Sequence, residues 1–403
     1  WLFLSLFLFR YIRLVGTIIS YMLSKPIPLP VAPQYTPRDV SVIIPTVDPS
    51  SPALLESIIS ILATHPHSII ISTVGSSNLS QLQLLYSRLL YTDTRIVTCS
   101  VPTASKRAQI VQGLKHVTTR ITALCDDHVF WPSTFLPHML APFENRRIGA
   151  VGPTRRVRRS TRRPRSSLQG IFNYLACIHI ARRNVELLAT NAIDGGVYCL
   201  PGSTIVIRST IVQDADFLAK FLNEYITLPF TKGKIGPLDV DDDCFTTRYL
   251  VRHGWQVAMQ SGEQATLETT LGEYPKYLAQ CLRWARTYWR TTPRSLFCAE
   301  TRRLQLWSWY AIHLYFFLQF GLLYDGALLF FFWSWRHSSA GMFGLAFFML
   351  VGRLVKLVPY HVARPCDIVC IPAAIAFAYM HSAIKLFALG TFRDIGWSGR
   401  RLE

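Results

Sequence analysis

The chain contains one unusually dense acidic stretch, Asp239–Asp243, in which four of the five residues are aspartate. Carboxylates this close together repel one another, which raises the proton affinity of one of them. A carboxylate that readily takes a proton can act as a general base towards a hydroxyl group, and Asp243 or Asp242 is the candidate for this role. The alternative is structural, because a solvated loop or a helix N-terminus also accommodates acidic side chains.

A second group, Asp126-Asp127-His128, follows the apolar run 121–125. A nucleotide-sugar diphosphate needs a divalent cation to offset its charge as the nucleotide leaves, and the protein supplies only a few ligands. We expect Asp126 and His128 to hold such a metal, with Asp126 also facing the nucleotide. An imidazole ligand favours Mn²⁺ over Mg²⁺. A hydrogen-bonding cluster at a strand end is the competing interpretation.

Cationic and aromatic residues accompany these acids. Lys106 and Arg107 are suited to a diphosphate, although an exposed helix start explains them equally well. Arg283 can bind a diphosphate through two parallel hydrogen bonds, and Trp284 offers a flat face for a sugar ring. Anchoring at a membrane interface is the alternative for this pair.

The elements that must position these groups alternate along the chain. Short apolar runs with strand character are separated by helical candidates, the pattern of a parallel sheet covered on both faces. The runs are 40–45, 68–73, 95–100, 121–125 and 148–152, and the helical candidates are 52–63, 79–90, 106–115 and 133–143. The pattern predicts an open doubly wound α/β sheet, whose ligands bind at the carboxyl ends of the strands. Pro45, Thr46 and the Asp126–His128 group all fall at such ends.

The composition narrows the classes of partner. The 403 residues are 50% apolar and carry a formal net charge of +18, which suits nucleic acid, a membrane surface or an anionic substrate. Long apolar runs favour the last two, and no nucleic acid is expected as a partner. Nine scattered cysteines without a CxxC pair indicate reduced thiols.

Residues 1–24 are long and apolar enough to span a bilayer, and the proline-containing segment 25–39 reads as a linker. A signal peptide is the competing interpretation of the first segment, but no small-residue cleavage site follows it. The basic residues Lys25 and Arg38 predict a cytosolic location for the catalytic domain, 40–265.

Within that domain, residues 154–167 form a loop with seven arginines, namely Arg155, Arg156, Arg158, Arg159, Arg162, Arg163 and Arg165. We expect this loop to face anionic lipid headgroups, because no interleaved aromatic residues accompany it for nucleic-acid stacking. An interfacial helix is predicted at about 168–190.

The C-terminal part is membrane-like. Residues 266–300 mix aromatic and basic residues at helical spacing, which predicts an amphipathic interfacial helix. Residues 304–389 contain apolar segments that could form either two full membrane spans and a re-entrant helix, or four spans. The first of these segments, 304–335, is predicted to be either one tilted helix or two short helices. A cytosolic tail, 390–403, follows.

The order of these motifs resembles that of the membrane-embedded processive family 2 glycosyltransferases. Within them it is most similar to the hyaluronan synthases and the fungal capsular-polysaccharide-synthase-like type 2 glycosyltransferases. The matching residues are Val42–Pro45, Lys106-Arg107, Asp126–His128, Pro201–Ser203, Asp242-Asp243, the QxxRW motif Gln280–Trp284, and Gly396–Arg400. His128 stands where the second aspartate of the family's DxD motif normally lies.

The resemblance implies a GT-A-like sheet inserted between transmembrane helices, and a role for each matched residue. Asp243, supported by Asp242, would be the catalytic base. The nucleotide sugar would be bound by Pro45, Thr46, Lys106, Arg107, Asp126, Arg283 and Arg400. The acceptor would be bound by Gly202, Ser203, Gln280, Trp284 and Trp397. A divalent cation, Mn²⁺ or Mg²⁺, would be held by Asp126 and His128.

The function implied is inverting, processive transfer from a UDP-sugar to a growing cell-wall or capsular polysaccharide that leaves across the plasma membrane. One alternative is a non-processive enzyme acting on a lipid such as ceramide or dolichyl phosphate. A second is a basic membrane protein that binds nucleic acid or anionic lipid without catalysis, which leaves Asp239–Asp243 unexplained.

Overall fold

The computed structural model describes residues 1–86, 93–159, 164–227 and 233–396. The chain divides into two compact units. The helical unit consists of Trp1–Ser24, Val157–Gly196 and Leu271–Asp394. The sheet unit is built mainly from Lys25–Arg156 and Val197–Thr270.

Ten strands are present in the described residues. They are β1 (Val40–Pro45), β2 (Ser68–Val74), β3 (Arg95–Val101), β4 (Ile121–Cys125), β5 (Val129–Phe130), β6 (Ile148–Pro153), β7 (Arg155–Val157), β8 (Thr204–Arg208), β9 (Gln256–Gln260) and β10 (Leu267–Thr269). Seven of them form one sheet in the order β3-β2-β1-β4-β8-β6-β9, and a small sheet has the order β5-β10-β7.

The α-helices of the described residues follow in chain order. They are α1 (Leu2–Leu23), α2 (Pro52–Leu62), α3 (Gly75–Tyr86), α4 (Lys106–Leu114), α5 (Phe135–Leu140), α6 (Leu168–Asp194), α7 (Ser209–Val212), α8 (Ala215–Leu222), α9 (Asp242–Arg252), α10 (Lys276–Leu296), α11 (Ala299–Leu304), α12 (Leu306–Ser308), α13 (Tyr315–Leu318), α14 (Gly321–Arg336), α15 (Ser339–Leu354), α16 (Val358–Ala363) and α17 (Ile371–Thr391).

The predicted strands of the large sheet are confirmed, because every residue of β1 and of β4 is buried, as expected of strands covered on both faces. The sheet differs from the expectation in one strand: β8 runs antiparallel to both β4 and β6. The chain re-enters the sheet beside the carboxyl end of β4, where Thr204 pairs with Cys125, and therefore runs back along that strand. This return places the turn before β8 next to the residues that follow β4.

Among the described residues, the helical unit contains three helices long and apolar enough to cross a membrane, namely Leu2–Leu23, Ser339–Ala363 and Pro365–Thr391. Of the two interpretations of run 304–335, the broken one is observed: Leu306–Leu318 and Gly321–Arg336 meet at an angle of 85° and add a fourth candidate span if they count as one. Helix α6 also lies in this unit, and 14 of its 27 residues are buried. Ser20 of α1 donates a hydrogen bond to its Ala189 carbonyl.

The arginine-rich segment is held within the helical unit through Arg159. Arg159 pairs with Asp367 at 3.2 Å, and both side chains are almost fully buried. Arg165 reaches the same carboxylate at 3.2 Å from a more exposed position. Arg159 is therefore an internal tether and does not face lipid headgroups as expected, whereas Arg162 and Arg163 lie outside the described residues.

Candidate active site

The acidic stretch lies at the start of a helix. Asp242 and Asp243 occupy the first turn of α9, and Asp241 precedes them with a φ of 65°. Aspartate tolerates this left-handed conformation better than most residues, and the helix dipole favours carboxylates in the first turn. The cluster is thus a helix start, as the structural interpretation predicted. This does not conflict with a role as general base, because the helix start fixes the carboxylates of Asp242 and Asp243.

Lys106 joins the two acidic motifs. Its Nζ atom lies 2.9 Å from Oδ1 of Asp126 and 3.1 Å from Oδ2 of Asp242. Burial alone lowers the pKa of Lys106, but the charges of Asp126 and Asp242 more than offset it and raise the pKa well above its ordinary value. The ammonium group therefore stays protonated and holds the strand-end motif and the helix-start motif together.

Helix α4, which carries Lys106, is fixed at its first turn. The side chain of Ser105 accepts a hydrogen bond from the Ala108 amide and so caps the helix. The same hydroxyl donates to Oδ1 of Asp239. Asp239 therefore has a structural role in positioning Lys106.

Asp127 and His128, which follow β4, are held in place by hydrogen bonds. Thr46 donates a hydrogen bond to Oδ2 of Asp127 at 2.8 Å, and Oδ1 of Asp127 lies 2.9 Å from Nδ1 of His128. A carboxylate on one ring nitrogen orients an imidazole so that the other nitrogen can bind a metal. The donor types of Asp126 and of the oriented His128, a carboxylate and an imidazole, suit a divalent cation. Thr46 acts by orienting Asp127.

The protonation of His128 is set by its neighbours. Burial lowers the pKa of His128, but the hydrogen bond that the imidazole donates to Asp127 and the charges of Asp126 and Asp127 outweigh it, so the pKa is raised above its ordinary value. Because a metal binds the neutral imidazole, a proton and a metal compete for this side chain.

The predicted acceptor-side turn lies against the candidate base. A Cβ atom added to Gly202 would lie 2.7 Å from Oδ2 and 3.1 Å from Cγ of Asp243, so only glycine allows this approach. Thr247 fixes the turn, because its hydroxyl donates to the Asp243 carbonyl and accepts from the Leu200 amide. Ser203 is 8% exposed, and its carbonyl accepts the Asp126 amide hydrogen.

The environment of Asp243 shifts its protonation. Burial raises the pKa of Asp243 above its ordinary value, the charge of Asp242 raises it further, and Lys106 opposes both. Its side chain nevertheless remains partly exposed at the surface of the sheet unit. These are the properties of a carboxylate that can take a proton from a hydroxyl group.

Arg107 does not lie where we expected it. Its side chain is 1% exposed, and it donates hydrogen bonds to the Phe221 and Val240 carbonyls and to Glu224, each at 2.7 Å. Glu224 also accepts from Arg248 at 2.6 Å. Arg107 is therefore a core residue that braces the segment before α9, and its burial excludes the predicted diphosphate contact.

Sequence reasoning missed Glu224 and Arg248, the partners in this network. Both are distant in sequence from Arg107, and neither belongs to a recognisable motif. The available signal was Arg248 itself, a charged residue in the middle of α9 with Tyr249, Leu250 and Val251 directly after it. Pro45 is the last, buried residue of β1 and contributes to the site through the position of Thr46.

The QxxRW residues lie in the helical unit, on α10. Gln280, Arg283 and Trp284 are each partly exposed there. The ring of Trp284 stacks on that of His179 of α6, with centroids 5.2 Å apart and planes 13° apart. One face of the indole is thus already covered by a flat ring. Trp397 and Arg400 lie outside the described residues.

The chain is similar in sequence to known glycosyltransferases. A sequence model described as glycosyltransferase-like family 2 matches residues 37–287. Type 2 glycosyltransferases from Pyricularia oryzae and Gibberella zeae are 38% and 37% identical over 99% of this chain, which covers 81% and 75% of their lengths. An NDP-glycosyltransferase from Aspergillus luteorubrus is 30% identical over 66% of this chain and 64% of its own length.

Among solved structures, a mannosyltransferase from Pyrobaculum calidifontis in complex with GDP-Man and Mn²⁺ is similar over 97% of this chain and 99% of its own. The sequence identity is 15% and the TM-score 0.55. At this identity the likeness concerns the fold, which is GT-A-like with apolar helices at both ends of the catalytic region. From the family match and the fungal relatives together, the chain belongs to the family 2 glycosyltransferases.

Proposed function

We propose that this membrane protein is an inverting polysaccharide synthase that transfers sugar units from a UDP-sugar to the end of a growing chain. The observation that carries the proposal is the position of Asp243: a carboxylate of raised pKa, at a helix start, directly against the glycine turn assigned to the acceptor. The alternative without catalysis loses its support, because the chain belongs to an enzyme family.

In the proposed reaction, Asp243 takes the proton from an acceptor hydroxyl as its oxygen bonds to the anomeric carbon. The bond between that carbon and the diphosphate breaks, and its electron pair leaves with UDP. Attack opposite to the leaving group inverts the anomeric configuration. Asp242 and Lys106 hold the helix start in register with Asp126, so that the base and the donor site keep a fixed separation.

A divalent cation bound at Asp126 and His128 would supply charge stabilisation to the departing diphosphate. We propose, as the resemblance implies, that Arg283 and Arg400 of the tail also contact the diphosphate. We propose in the same way that the acceptor is contacted by Gln280, Trp284 and Trp397. The acceptor would be a polymer that leaves across the plasma membrane from a cytosolic catalytic domain. Anionic headgroups remain the proposed partner of the exposed arginines in the segment 154–167.

The test uses the full chain in detergent with Mn²⁺ and a panel of UDP-sugars, following UDP release and the size of labelled product together. Release of UDP with a product of high molecular mass is the expected result and identifies the donor. Release of UDP with only a small lipid-soluble product would show that the enzyme glycosylates a lipid and does not make a polymer. No release with any UDP-sugar would contradict the proposed donor class.

A further inference from the structure

Two cysteines lie beside the candidate base in the sheet unit. The sulfur atoms of Cys199 and Cys244 and one carboxylate oxygen of Asp243 all lie within 4.8 Å of one another. Cys199 is 1% and Cys244 2% exposed, whereas Asp243 is partly open to solvent. Within the part of the chain that the structure describes, no other three histidine, cysteine or acidic side chains converge as closely.

The fold brings these residues together from separate segments and holds them there. Cys199 precedes the turn at Gly202, and Cys244 lies in the first turn of α9. The hydroxyl of Thr247 bonds both segments, and the Cys244 amide donates to Oδ1 of Asp243 at 2.7 Å. The Cys199 thiol is itself held in place, because it donates a hydrogen bond to the Leu200 carbonyl at 3.2 Å. The cluster is therefore preformed and does not require a rearrangement of the backbone.

Two thiols and a carboxylate are a ligand set with a clear preference among metals. Thiolates select zinc-like, thiophilic cations, whereas Mg²⁺ and Mn²⁺ prefer oxygen. Tetrahedral Zn²⁺ with bonds of about 2.3 Å to sulfur needs neighbouring ligand atoms about 3.5–4 Å apart, and the three ligand atoms of the cluster lie within 4.8 Å of one another. Small side-chain movements suffice to close the site, and its partly exposed carboxylate gives the metal a way in.

We propose that Cys199, Cys244 and Asp243 form a binding site for a thiophilic divalent cation, Zn²⁺ or Cd²⁺, whose occupancy stops sugar transfer. On binding, two metal–sulfur bonds form and the two thiols release their protons to solvent, with no change of oxidation state. Water completes the coordination. The binding site stands on the geometry alone, whereas the inhibition rests on the proposed role of Asp243 as the base.

Binding is measured by titrating the purified chain with Cd²⁺ in the presence of excess Mg²⁺. The chain would carry Cys298→Ser and Cys366→Ser, because these two cysteines are not buried and would bind metal adventitiously. Thiolate-to-metal ultraviolet absorption and proton release are recorded together. The expected result is saturation at one Cd²⁺ and two protons per chain; no absorption change would overturn the proposal.

Variants locate the site. Cys199→Ser and Cys244→Ser are each expected to weaken Cd²⁺ binding by at least about tenfold, the loss produced by removing even an outer-shell partner. Cys99→Ser, at a buried cysteine elsewhere in the sheet unit, is the matched control and should bind as before. If the site variants fail to fold, X-ray absorption at the zinc edge is measured on the Zn²⁺-bound parent chain instead. Two sulfur ligands are expected. A coordination shell of oxygen and nitrogen alone would refute the site.

The inhibitory arm separates this proposal from the proposed function. Zn²⁺ should abolish transfer by the parent chain, and Cys199→Ser should need at least about tenfold more Zn²⁺ for the same fractional loss of its own rate. Metal binding without any inhibition would refute the regulatory claim and count against Asp243 as the base, while the metal site itself would stand.

Discussion

At the scale of the residue, the site depends on the balance of charge around Asp243. A base acts only when it is unprotonated, so a raised pKa means that activity is lost at a higher pH on acidification than for an ordinary carboxylate. Lys106 opposes this rise. Replacing it by glutamine removes a positive charge and should move the acid limb of the pH profile of kcat/KM to still higher pH.

The profile of Lys106→Gln against the unmodified enzyme checks this directly, because the position of the limb does not depend on the lower overall rate. Lys220→Gln is a suitable control, since this lysine of α8 is exposed and pairs with Asp216 near the surface. An unmoved limb in Lys106→Gln would show that Asp243 is not the group that titrates.

Gly202 provides a second prediction at this scale. A methyl group at this position would lie 2.7 Å from the Asp243 carboxylate, so Gly202→Ala should displace the base and lower kcat by about 100-fold, the cost of a misplacement of about 1 Å. Gly344→Ala is the matched control, because nothing lies within 4 Å of its added methyl group. Full activity in Gly202→Ala would contradict the close approach of turn and base.

At the scale of the element, the start of α9 is held by a buried ion network in addition to the contact between Lys106 and Asp242. Arg107 lies between Glu224 and the Val240 carbonyl, with Arg248 on the other side of Glu224. Removing one member of such a network leaves buried polar groups without partners. Arg107→Met should therefore lower the free energy of unfolding by about 3 kcal/mol.

The same variant separates two roles for Arg107. If Arg107 has a core role, the variant has a lower melting temperature and an unchanged KM for the nucleotide sugar in the folded fraction. If Arg107 contacts the diphosphate, the variant has an unchanged melting temperature and a raised KM. Arg120→Gln is the control, since its exposed pairing with Asp39 should contribute less than about 1 kcal/mol. A raised KM without loss of stability would restore the original prediction.

The adjacent positions of Lys106 and Arg107 show what a sequence pattern can and cannot predict. Both lie in the first turn of α4, where successive residues point about 100° apart, so one reaches the site and the other the core. The motif identified the pair but not which face each residue occupies. Burial of Arg107 depends on Glu224 and Val240, more than 100 positions away, and no local pattern contains that information.

The strands were more predictable than the site. Mostly apolar runs such as Val40–Pro45 carry their own signal, because a strand covered on both faces is apolar at nearly every position. The direction of β8 carried no such signal, because a strand that is buried on both faces is apolar whether it runs parallel or antiparallel to its neighbours. The Cys199–Cys244 pair was likewise invisible, because it depends on how the turn before β8 meets α9.

At the scale of the whole molecule, the apolar helices indicate a membrane protein. Leu2–Leu23 and Ser339–Ala363 each have a mean hydropathy of 1.8 over their most apolar windows. Segments of this length bury themselves in lipid and are not released by screening charges. The protein should remain in the membrane fraction after a high-salt wash and leave it only in detergent; release by salt alone would show that it is held by electrostatics.

The most direct test of the whole account is the transfer rate of Asp243→Asn beside the unmodified enzyme, with the melting temperature of both. In the folded enzyme the raised pKa of Asp243 means that its ionised form costs stability at neutral pH, so the neutral amide should melt at the same temperature or higher. Transfer should fall by a factor of about 10²–10⁴, the usual contribution of a general base. A folded Asp243→Asn protein that still transfers sugar at the normal rate would contradict the assignment of the base and the mechanism built on it.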